Sequence, residues 1–260
     1  MRKAYLLSVA LAVPFVASAL ELEFSAGAIQ QKPSGYASYK GDRVYLKRDA
    51  RVGDKTAPWV RLKFEPPIPL IPNIKLGYMP MKFEGSGTLT RDIRWGNYTF
   101  QANADYKFSL KADRVDVTSY YNLPFIRTLT KDIVDIEFGA NVRVMNFEGR
   151  FEGVDKTTNQ KVSESKSITV PVPMGHVGLE IRPIKHFSVL GSLNYIGYKE
   201  NKYYDYTAGG RFYMGSLLPL KRLNPFVEVG YRHEKLKIDE SDVKADINVK
   251  GGYAMLGLRF

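Results

Sequence analysis

Residues 134–144, VDIEFGANVRV, alternate between two kinds of side chain, and this alternation decides the fold class. The even positions carry only Val, Ile, Phe and Ala, whereas the odd positions include Asp135, Glu137, Asn141 and Arg143. Successive side chains of a β-strand point to opposite faces, so the stretch predicts a strand with one apolar and one charged face. Such dyads over about ten residues are typical of strands that cross a membrane in a β-barrel, with lipid on the apolar side.

The same two-residue period continues along the chain. It recurs in residues 21–28, 60–65 and 227–232, and no long segment shows the 3.6-residue spacing of an amphipathic helix. A soluble β-sandwich would show a similar alternation, so the pattern by itself leaves both folds open. Three further features favour the membrane barrel: the C-terminal residues, the placement of the tyrosines and the lengths of the connections.

The last predicted strand carries apolar residues at every second position up to a terminal aromatic, in Leu256, Leu258 and Phe260. This arrangement resembles the assembly signal of bacterial outer-membrane barrels and predicts the barrel-assembly machinery as a partner during insertion. The predicted connections alternate between short ones, at residues 183–186 and 215–223, and longer ones, at 32–56 and 151–165. This asymmetry is the one expected of short periplasmic turns and longer outer loops.

Tyrosines crowd near the predicted strand ends. A tyrosine suits a membrane interface because its ring is apolar and its hydroxyl can bind water. Ordinary cross-strand pairing of aromatic residues would also place tyrosines there. The residues in question are Tyr120, Tyr121, Tyr195, Tyr198, Tyr203, Tyr204 and Tyr206.

Counting strands gives ten, so we predict an all-β fold, a closed antiparallel transmembrane β-barrel, with eight or twelve strands as alternatives. The apolar phase changes within residues 97–122, where it runs through Tyr106, Phe108 and Leu110 and then through Val115 and Val117. We interpret this change as a bulge near Asp113 in one long strand; an extra hairpin there would alter the count. The predicted strands are residues 20–31, 57–66, 73–84, 103–121, 133–150, 166–182, 187–200, 203–216, 223–238 and 245–260.

The chain opens with Arg2-Lys3, an apolar run over residues 4–16 and the small-residue site Ala17-Ser18-Ala19. This order predicts a secretory signal peptide, residues 1–19, cleaved ahead of one barrel domain, residues 20–260. A membrane-anchoring helix is the alternative, but the run is shorter than the roughly 20 residues that a spanning helix needs. The expected location is the outer membrane of a Gram-negative bacterium, and the expected state is a monomer.

Composition narrows the partners. Lys and Arg number 38 against 27 Asp and Glu, a net charge of +11. A secreted chain does not meet nucleic acid, and its basic residues form neither one block nor one amphipathic helix, so we expect no nucleic-acid binding. We expect outer-membrane lipid and lipopolysaccharide as partners instead. The chain has no cysteine, which excludes disulfides and thiolate metal sites. We predict no cofactor and no metal.

Several short motifs occur in order along the chain. After the predicted signal peptide come the Pro-rich residues 66–72 leading into NIKL (73–76), the pair Tyr120-Tyr121, VPVPM (170–174), EVGYR (228–232) and the terminal Phe260. By these motifs residues 20–260 resemble a group of bacterial outer-membrane β-barrel proteins of uncharacterised function. The resemblance implies location and architecture and carries no catalytic residues. Because proline cannot donate a ladder hydrogen bond, residues 66–72 are expected to form a rigid turn at the periplasmic barrel end.

With the apolar face outward, the charged face lines the lumen. Inward acids and bases nearly balance, and a barrel of about ten strands has little interior beyond its own side chains. We therefore predict that the charges pair across the lumen and largely plug it; a narrow channel for small solutes or ions is the alternative. Glu228 and Arg232 are expected to pair with neighbouring strands rather than with each other. The predicted network is Glu137, Arg143, Glu180, Arg182, Asp205, Arg211, Glu228 and Arg232.

The first predicted outer loop, residues 32–55, is rich in basic side chains. We predict that it faces the phosphates of lipopolysaccharide, with a solvated mobile loop as the alternative. The residues proposed for this role are Lys40, Arg43, Lys47, Arg48 and Arg51.

No catalytic site is predicted. The three histidines, His176, His186 and His233, form no close His-x-His pair. We predict His176 on the inward face beside Glu180 and His233 near an outer strand end. An outer-membrane hydrolase would have to draw on His233 with Asp239, Glu240 and Asp242. The leading hypothesis is a structural or interaction barrel that is not an enzyme, ahead of the channel and the hydrolase.

Overall fold

The computed structural model describes residues 20–68, 70–215 and 223–260. The predicted signal peptide, residues 1–19, lies outside the described residues, as does most of the predicted turn at 215–223. Within the described ranges no helix has the length and apolarity needed to cross a membrane. The elements are β1 (Glu21–Tyr39), β2 (Val44–Tyr45), β3 (Lys55–Glu65), β4 (Asn73–Met79), β5 (Lys82–Thr88), β6 (Ile93–Trp95), β7 (Tyr98–Phe100), β8 (Asp105–Asn122), α1 (Pro124–Leu129), β9 (Val134–Val154), β10 (Lys161–Ile184), β11 (Phe187–Tyr198), β12 (Asn201–Tyr213), β13 (Asn224–Asp239) and β14 (Val243–Arg259).

The main sheet closes on itself, because β14 pairs with β1 as well as with β13. Neighbouring strands pair antiparallel around the barrel in the order β1, β3, β4, β8 and then β9 to β14. β5 continues the line of β4 along β8 in the same register, from Met79 opposite Arg114 to Lys82 opposite Lys111, so the two segments form one barrel strand. The predicted closed antiparallel barrel of ten strands is confirmed.

The connections define two ends of the barrel, which we call the turn end and the loop end. The N–H of Phe260 donates to the carbonyl of Leu22 at 2.8 Å, so both residues lie at the turn end. The predicted loop at 151–165 is wrong, because β9 runs to Val154 and β10 begins at Lys161. The first loop also shortens to residues 40–54, since β1 continues to Tyr39. Strand pairing extends here because each strand has a neighbour with which to form ladder bonds. The turn end carries connections 66–72, 123–133 and 185–186, and the loop end carries 40–54, 89–104, 155–160, 199–200 and 240–242.

The exterior of the barrel half near the turn end, the turn half, is an apolar belt. Its outward side chains are those that the alternation predicts, among them Val142, Val229 and Leu256, which are 42%, 54% and 66% exposed. A continuous exposed band of this kind is unfavourable in water and is the lipid-facing surface of a transmembrane barrel.

The half near the loop end, the loop half, has the opposite polarity. Its outward residues are charged, as in Lys82, Lys111 and Glu148, and its inward residues are apolar, as in Phe108 and Phe151. Beyond the lipid the exterior meets water, so the side that must be sheltered is the interior. The lumen of the barrel is therefore charged in the turn half and apolar in the loop half.

This reversal accounts for the phase change in β8, and the predicted bulge near Asp113 is wrong. β8 pairs with β9 in one unbroken register from Lys107 opposite Glu152 to Asn122 opposite Glu137. All the even positions of β8 from Tyr106 to Tyr120 face inward, and only their chemistry changes, from apolar to polar. No residue is inserted into β8. The apolar side chains change faces because the surroundings of the strand change from lipid in the turn half to water in the loop half.

The apolar interior of the loop half is closed by the first loop. Residues 40–54 fold back along β1, with which β2 pairs. Three of their side chains, Val44, Leu46 and Val52, are at most 2% exposed. A Cβ on Gly85 would lie 1.7 Å from the carbonyl oxygen of Ala50, so the loop backbone packs directly against β5. We call this buried set, with the aromatic rings beneath it, the apolar plug.

The ring of Phe151 is the centre of the apolar plug. Its centroid lies 4.5 Å from Phe100, 5.7 Å from Tyr106, 6.1 Å from Phe108 and 6.3 Å from Trp95. Aromatic pairs at these separations are stabilising beyond the area that they bury. The Tyr106 hydroxyl also donates to the carbonyl of Asp49 at 2.6 Å, which fastens the first loop to the plug.

The two prolines of the VPVPM motif are tolerated within β10 because of where they lie in the sheet. Pro171 and Pro173 lie in β10 where it pairs with β9, but pairing with β11 begins only at Gly175. This part of β10 is therefore a sheet edge, where a residue without an N–H costs no ladder bond. The Pro-rich connection at 66–72 lies between β3 and β4 at the turn end, where Ile71 N–H donates to the Ile68 carbonyl in a turn.

Candidate functional site

The lumen of the turn half contains a dense set of ionic side chains, and it is the candidate functional site. All eight residues of the predicted network point into it, carried by β9, β10, β12 and β13. Arg143, Asp205 and Glu228 have no more than 1% of their surface exposed. Charges this deeply buried persist only when they are paired, and most of the pairs fall into three groups.

The first group, the three-arginine cluster, combines Arg114, Arg143 and Arg232 with Asp116, Asp205 and Glu234. Arg143 contacts Asp116 and Asp205 at 2.6 Å each, and Arg232 contacts Asp205 at 2.7 Å. Arg114 binds Glu234, which also accepts the Tyr203 hydroxyl. Three positive and three negative groups make this cluster neutral, and its members come from four strands.

The second group is centred on Arg211. Its guanidinium reaches both oxygens of Glu23 at 2.8 and 2.9 Å and Glu228 at 2.7 Å. Glu228 also receives Arg61 at 2.7 Å and the Tyr253 hydroxyl at 2.9 Å. The expectation that Glu228 and Arg232 would pair with other strands agrees with these contacts. A bidentate arginine–carboxylate pair is directional and strong, so this group fixes β12 against β1 across the lumen.

The third group is centred on Glu137. Lys75 binds this carboxylate directly, Lys63 lies 3.6 Å away and His176 Nε2 lies 3.5 Å away. His176 Nδ1 meets Asn194 Oδ1 at 2.8 Å. His176 thus meets Glu137 and Asn194 rather than the predicted neighbour Glu180, because β9 and β11 pair with β10 on either side and Asn194 lies directly opposite His176 in register.

Asn194 joins the groups together. Its amide donates to Asp205 at 3.1 Å, which connects the Glu137 group to the three-arginine cluster. Nearer the turn end, Glu180 binds Arg182 at 2.8 Å and accepts the Tyr213 hydroxyl at 3.0 Å. Arg259 and Glu21, at 2.5 Å, form a further pair at that mouth. Ionic contacts therefore follow one another from the turn end to the base of the apolar plug.

A cavity of about 150 Å³ lies between these groups. Its lining includes Lys63, Lys75, Thr118, Asn141 and Thr207. A space of this size and polarity accommodates several water molecules. Towards the loop end the interior is occupied by the apolar plug, so the lumen consists of a polar chamber below an apolar closure.

Sequence reasoning missed part of this network. The inferred bulge placed Tyr106, Phe108 and Leu110 outside the barrel, although they face inward, and Arg114 and Asp116 of the same strand were left out of the predicted network. Glu234 has the same parity as Glu228 and Arg232 and was detectable from it. Tyr120 and Tyr203 were predicted at the membrane interface, yet both are buried in the lumen, 0% and 3% exposed. Each hydroxyl donates to a carboxylate, Tyr120 to Glu65 and Tyr203 to Glu234. The other tyrosines of that set, Tyr121, Tyr195, Tyr198, Tyr204 and Tyr206, are exposed or half-buried.

All five basic residues predicted to face lipopolysaccharide are exposed. Three of them have an acid nearby: Lys47 binds Asp54 at 2.7 Å, Arg48 binds Asp49 at 2.8 Å and Lys40 lies 3.9 Å from Asp242. The other two, Arg43 and Arg51, form no ion pair with a described residue, and Arg43 stacks over the Tyr36 ring at 4.8 Å. The local positive excess is thus carried by these two arginines.

The structure also shows where the predicted assembly signal and the predicted hydrolase residues lie. Leu256, Leu258 and Phe260 point outward on the lipid-facing side of the turn half, 66%, 38% and 52% exposed. His233 lies on the exterior of β13, with its ring 6.0 Å from Tyr204 and 5.2 Å from Tyr206. Asp239 is six residues further along the same strand, about 20 Å away, and Lys244 binds it. The structure does not bring the predicted hydrolase residues together.

Bacterial outer-membrane barrels are among the solved structures similar to this chain. The outer membrane protease OmpT from Escherichia coli is 9% identical, with 94% of this chain and 97% of that chain covered and a TM-score of 0.48. The translocator domain of the autotransporter NalP from Neisseria meningitidis is 10% identical, over 93% and 88%, with a TM-score of 0.41. Ail, the attachment invasion locus protein of Yersinia pestis, is 12% identical, over 92% and 98%, with a TM-score of 0.33. No protein-family model matches the chain, and no curated protein matches its sequence.

Proposed function

We propose that this protein is a monomeric barrel of the bacterial outer membrane, exported with a signal peptide, that does not conduct and presents its loop half to the outside. The observation that carries the proposal is the double closure of the lumen. Ion pairs occupy the turn half and the apolar plug occupies the loop half, so a solute would have to break both. A structural or surface-interaction role follows, because the rigid part that remains accessible is the outer surface of the loop half.

Conductance across a planar bilayer tests the closure. The wild-type chain should give no steps above leak. Neither Arg143→Ala with Asp205→Ala nor Phe108→Ala with Phe151→Ala should open it, since each pair of changes removes only one closure. Combining all four substitutions should produce steps. Resistance of each folded variant to SDS without boiling verifies that it has inserted as a barrel.

A narrow channel is the second candidate, favoured by the polar cavity of about 150 Å³. It predicts regular conductance steps from the wild-type chain that Arg143→Ala changes in size. Such steps would overturn the closed-lumen proposal.

The surface role includes contact between the first loop and lipopolysaccharide, supported by the exposure of its basic residues. β1 continues for roughly 20 Å along its own axis from Lys32 to Tyr39, so the first loop joins it above the apolar belt, on the side of the saccharide region. Arg43→Gln with Arg51→Gln should weaken binding of full-length lipopolysaccharide. Lys47→Gln with Arg48→Gln is the matched control, because these residues already have acid partners. Equal effects of the two pairs would contradict the proposal.

A further inference from the structure

A row of basic and aromatic side chains crosses the exterior of four strands directly above the apolar belt. Strand register aligns Lys32 of β1 with Lys250 of β14, Lys250 with His233 of β13, and His233 with Tyr206 of β12. On the side of the turn end, the next outward position of β1 is Gln30 and that of β14 is Gly252. Below these come the small residues Ala28 and Ala254, which pair with each other. The row therefore lies at the level where lipid headgroups meet the barrel.

The two lysines of this row are directly opposed on neighbouring strands. Opposed side chains have Cβ atoms about 4.5–5.5 Å apart, and like charges in such positions are destabilising. Both lysines are exposed, and neither forms an ion pair or a hydrogen bond with a described residue. Asp54 lies within electrostatic reach of Lys32, but its carboxylate is bound by Lys47 at 2.7 Å.

Several outward lysines of the loop half bind acids, which Lys32 and Lys250 do not. Lys82 binds Glu84 at 2.6 Å, Lys111 binds Glu148 at 3.0 Å and Lys235 binds Asp246 at 3.3 Å. The two opposed ammonium groups thus have no acid within ion-pair distance among the described residues.

We propose that Lys32 and Lys250 bind the phosphate group of a phosphorylated lipid in the outer leaflet, with His233 and Tyr206 as adjacent donors. The phosphate supplies the missing negative charge between the two ammonium groups. Below it, the small outward residues Ala28 and Ala254 leave room for an acyl chain to lie against the barrel. The inference rests on the proposed membrane location and adds a defined lipid site to it.

The test compares diphosphorylated lipid A, the same lipid after removal of its phosphates, and inorganic phosphate, each titrated into the full folded chain in a zwitterionic detergent. Native mass spectrometry counts bound lipid, and the temperature at which the barrel unfolds on unboiled gels reports stabilisation. Wild type should prefer the phosphorylated lipid. Lys32→Gln with Lys250→Gln should weaken its binding on the order of 25-fold, about fivefold per lysine. Lys82→Gln with Lys111→Gln is the matched control and should leave binding unchanged.

Removing a repulsive pair has a second signature. Without lipid, Lys32→Gln with Lys250→Gln should unfold at the same temperature as wild type or higher, which a merely structural pair would not show. Equal binding of dephosphorylated lipid A, equal stabilisation by inorganic phosphate, or equal losses in the control variant would overturn the site. Protease protection in vesicles tests the membrane location separately. A chain that inserts but shows no lipid preference would contradict only the lipid site. A chain that does not insert would contradict both the lipid site and the proposed membrane location.

Discussion

Replacing Arg143 by Met is the sharpest single test of the ion-paired lumen. Methionine keeps much of the length of the side chain and removes the charge that binds Asp116 and Asp205 at 2.6 Å each. The three-arginine cluster changes from neutral to a net charge of −1, and Asp205, which is 0% exposed, keeps Arg232 as its one ion-pair partner among the described residues. Removing one partner of a buried pair typically costs about 3–5 kcal/mol, so we expect a loss in that range.

The assay is urea unfolding of the barrel in lipid vesicles, followed by tryptophan fluorescence. Trp59 is a useful reporter because its ring lies 5.4 Å from the Arg232 guanidinium. Arg143→Met should lower the midpoint, and adding Asp205→Asn should recover part of the loss because the cluster becomes neutral again. Arg150→Met is the surface control; its contacts with Glu148 and Glu152 at 3.4 and 3.7 Å are exposed and contribute at most about 1 kcal/mol. A loss below about 1 kcal/mol for Arg143→Met, or a double variant less stable than the single one, would refute the reasoning.

Three further predictions concern the plug, the lipid face and the first loop. Phe151→Ala should destabilise the barrel by about 3–5 kcal/mol in the same assay, whereas lipid-facing Phe138→Ala, with its ring 47% exposed, should cost less. Leu256→Lys puts a charge in the apolar belt and should cost about 2–4 kcal/mol, with reduced insertion into vesicles. Burial opposes ionisation of Asp49, but hydrogen bonds from Arg48, the Tyr45 N–H and Arg91 outweigh it and lower its pKa. These hydrogen bonds therefore stabilise the loop above the ordinary pKa, and that contribution is lost as pH falls through the lowered pKa. Pepsin should cut the wild-type loop faster towards the acid end of its working range than at pH 4, whereas Asp49→Asn should lose this pH dependence.

The strands of the turn half were predictable from the sequence because lipid on one side and charge on the other impose a clean two-residue period. Residues 134–144 and 227–231 kept their predicted faces for this reason. The prediction failed in β8, where a fixed rule of apolar-outward required a bulge to explain Val115 after Leu110. Following the parity back from Val115 and Val117 without a break would have located Tyr106, Phe108 and Leu110 in the lumen, and the charged outward series Lys107 and Lys111 carried that signal.

Which charge meets which was beyond the sequence. Arg211 and Glu23 are separated by 188 positions, and Arg61 and Glu228 by 167. Their contacts depend on strand register and on the tilt that closes the barrel, and neither is written in the local pattern. The plugging role of the first loop was also hidden, because Val44, Leu46 and Val52 are interspersed with the basic residues that dominated its interpretation.

The change of polarity along the strands also locates the membrane boundary. In β8 the inward face changes between Ala112 and Arg114, and Arg114 lies opposite Met145 of β9, after which the inward residues of β9 are Phe147 and Phe151. In β14 the outward face changes between Ala254 and Lys250, the residue that faces Lys32. The reversal occurs because the solvent outside the barrel changes from hydrocarbon to water, while the wall itself continues in the same register. The strand positions at which the two faces exchange character therefore mark the headgroup level, and Lys32 and Lys250 are the first outward charges that β1 and β14 present above it.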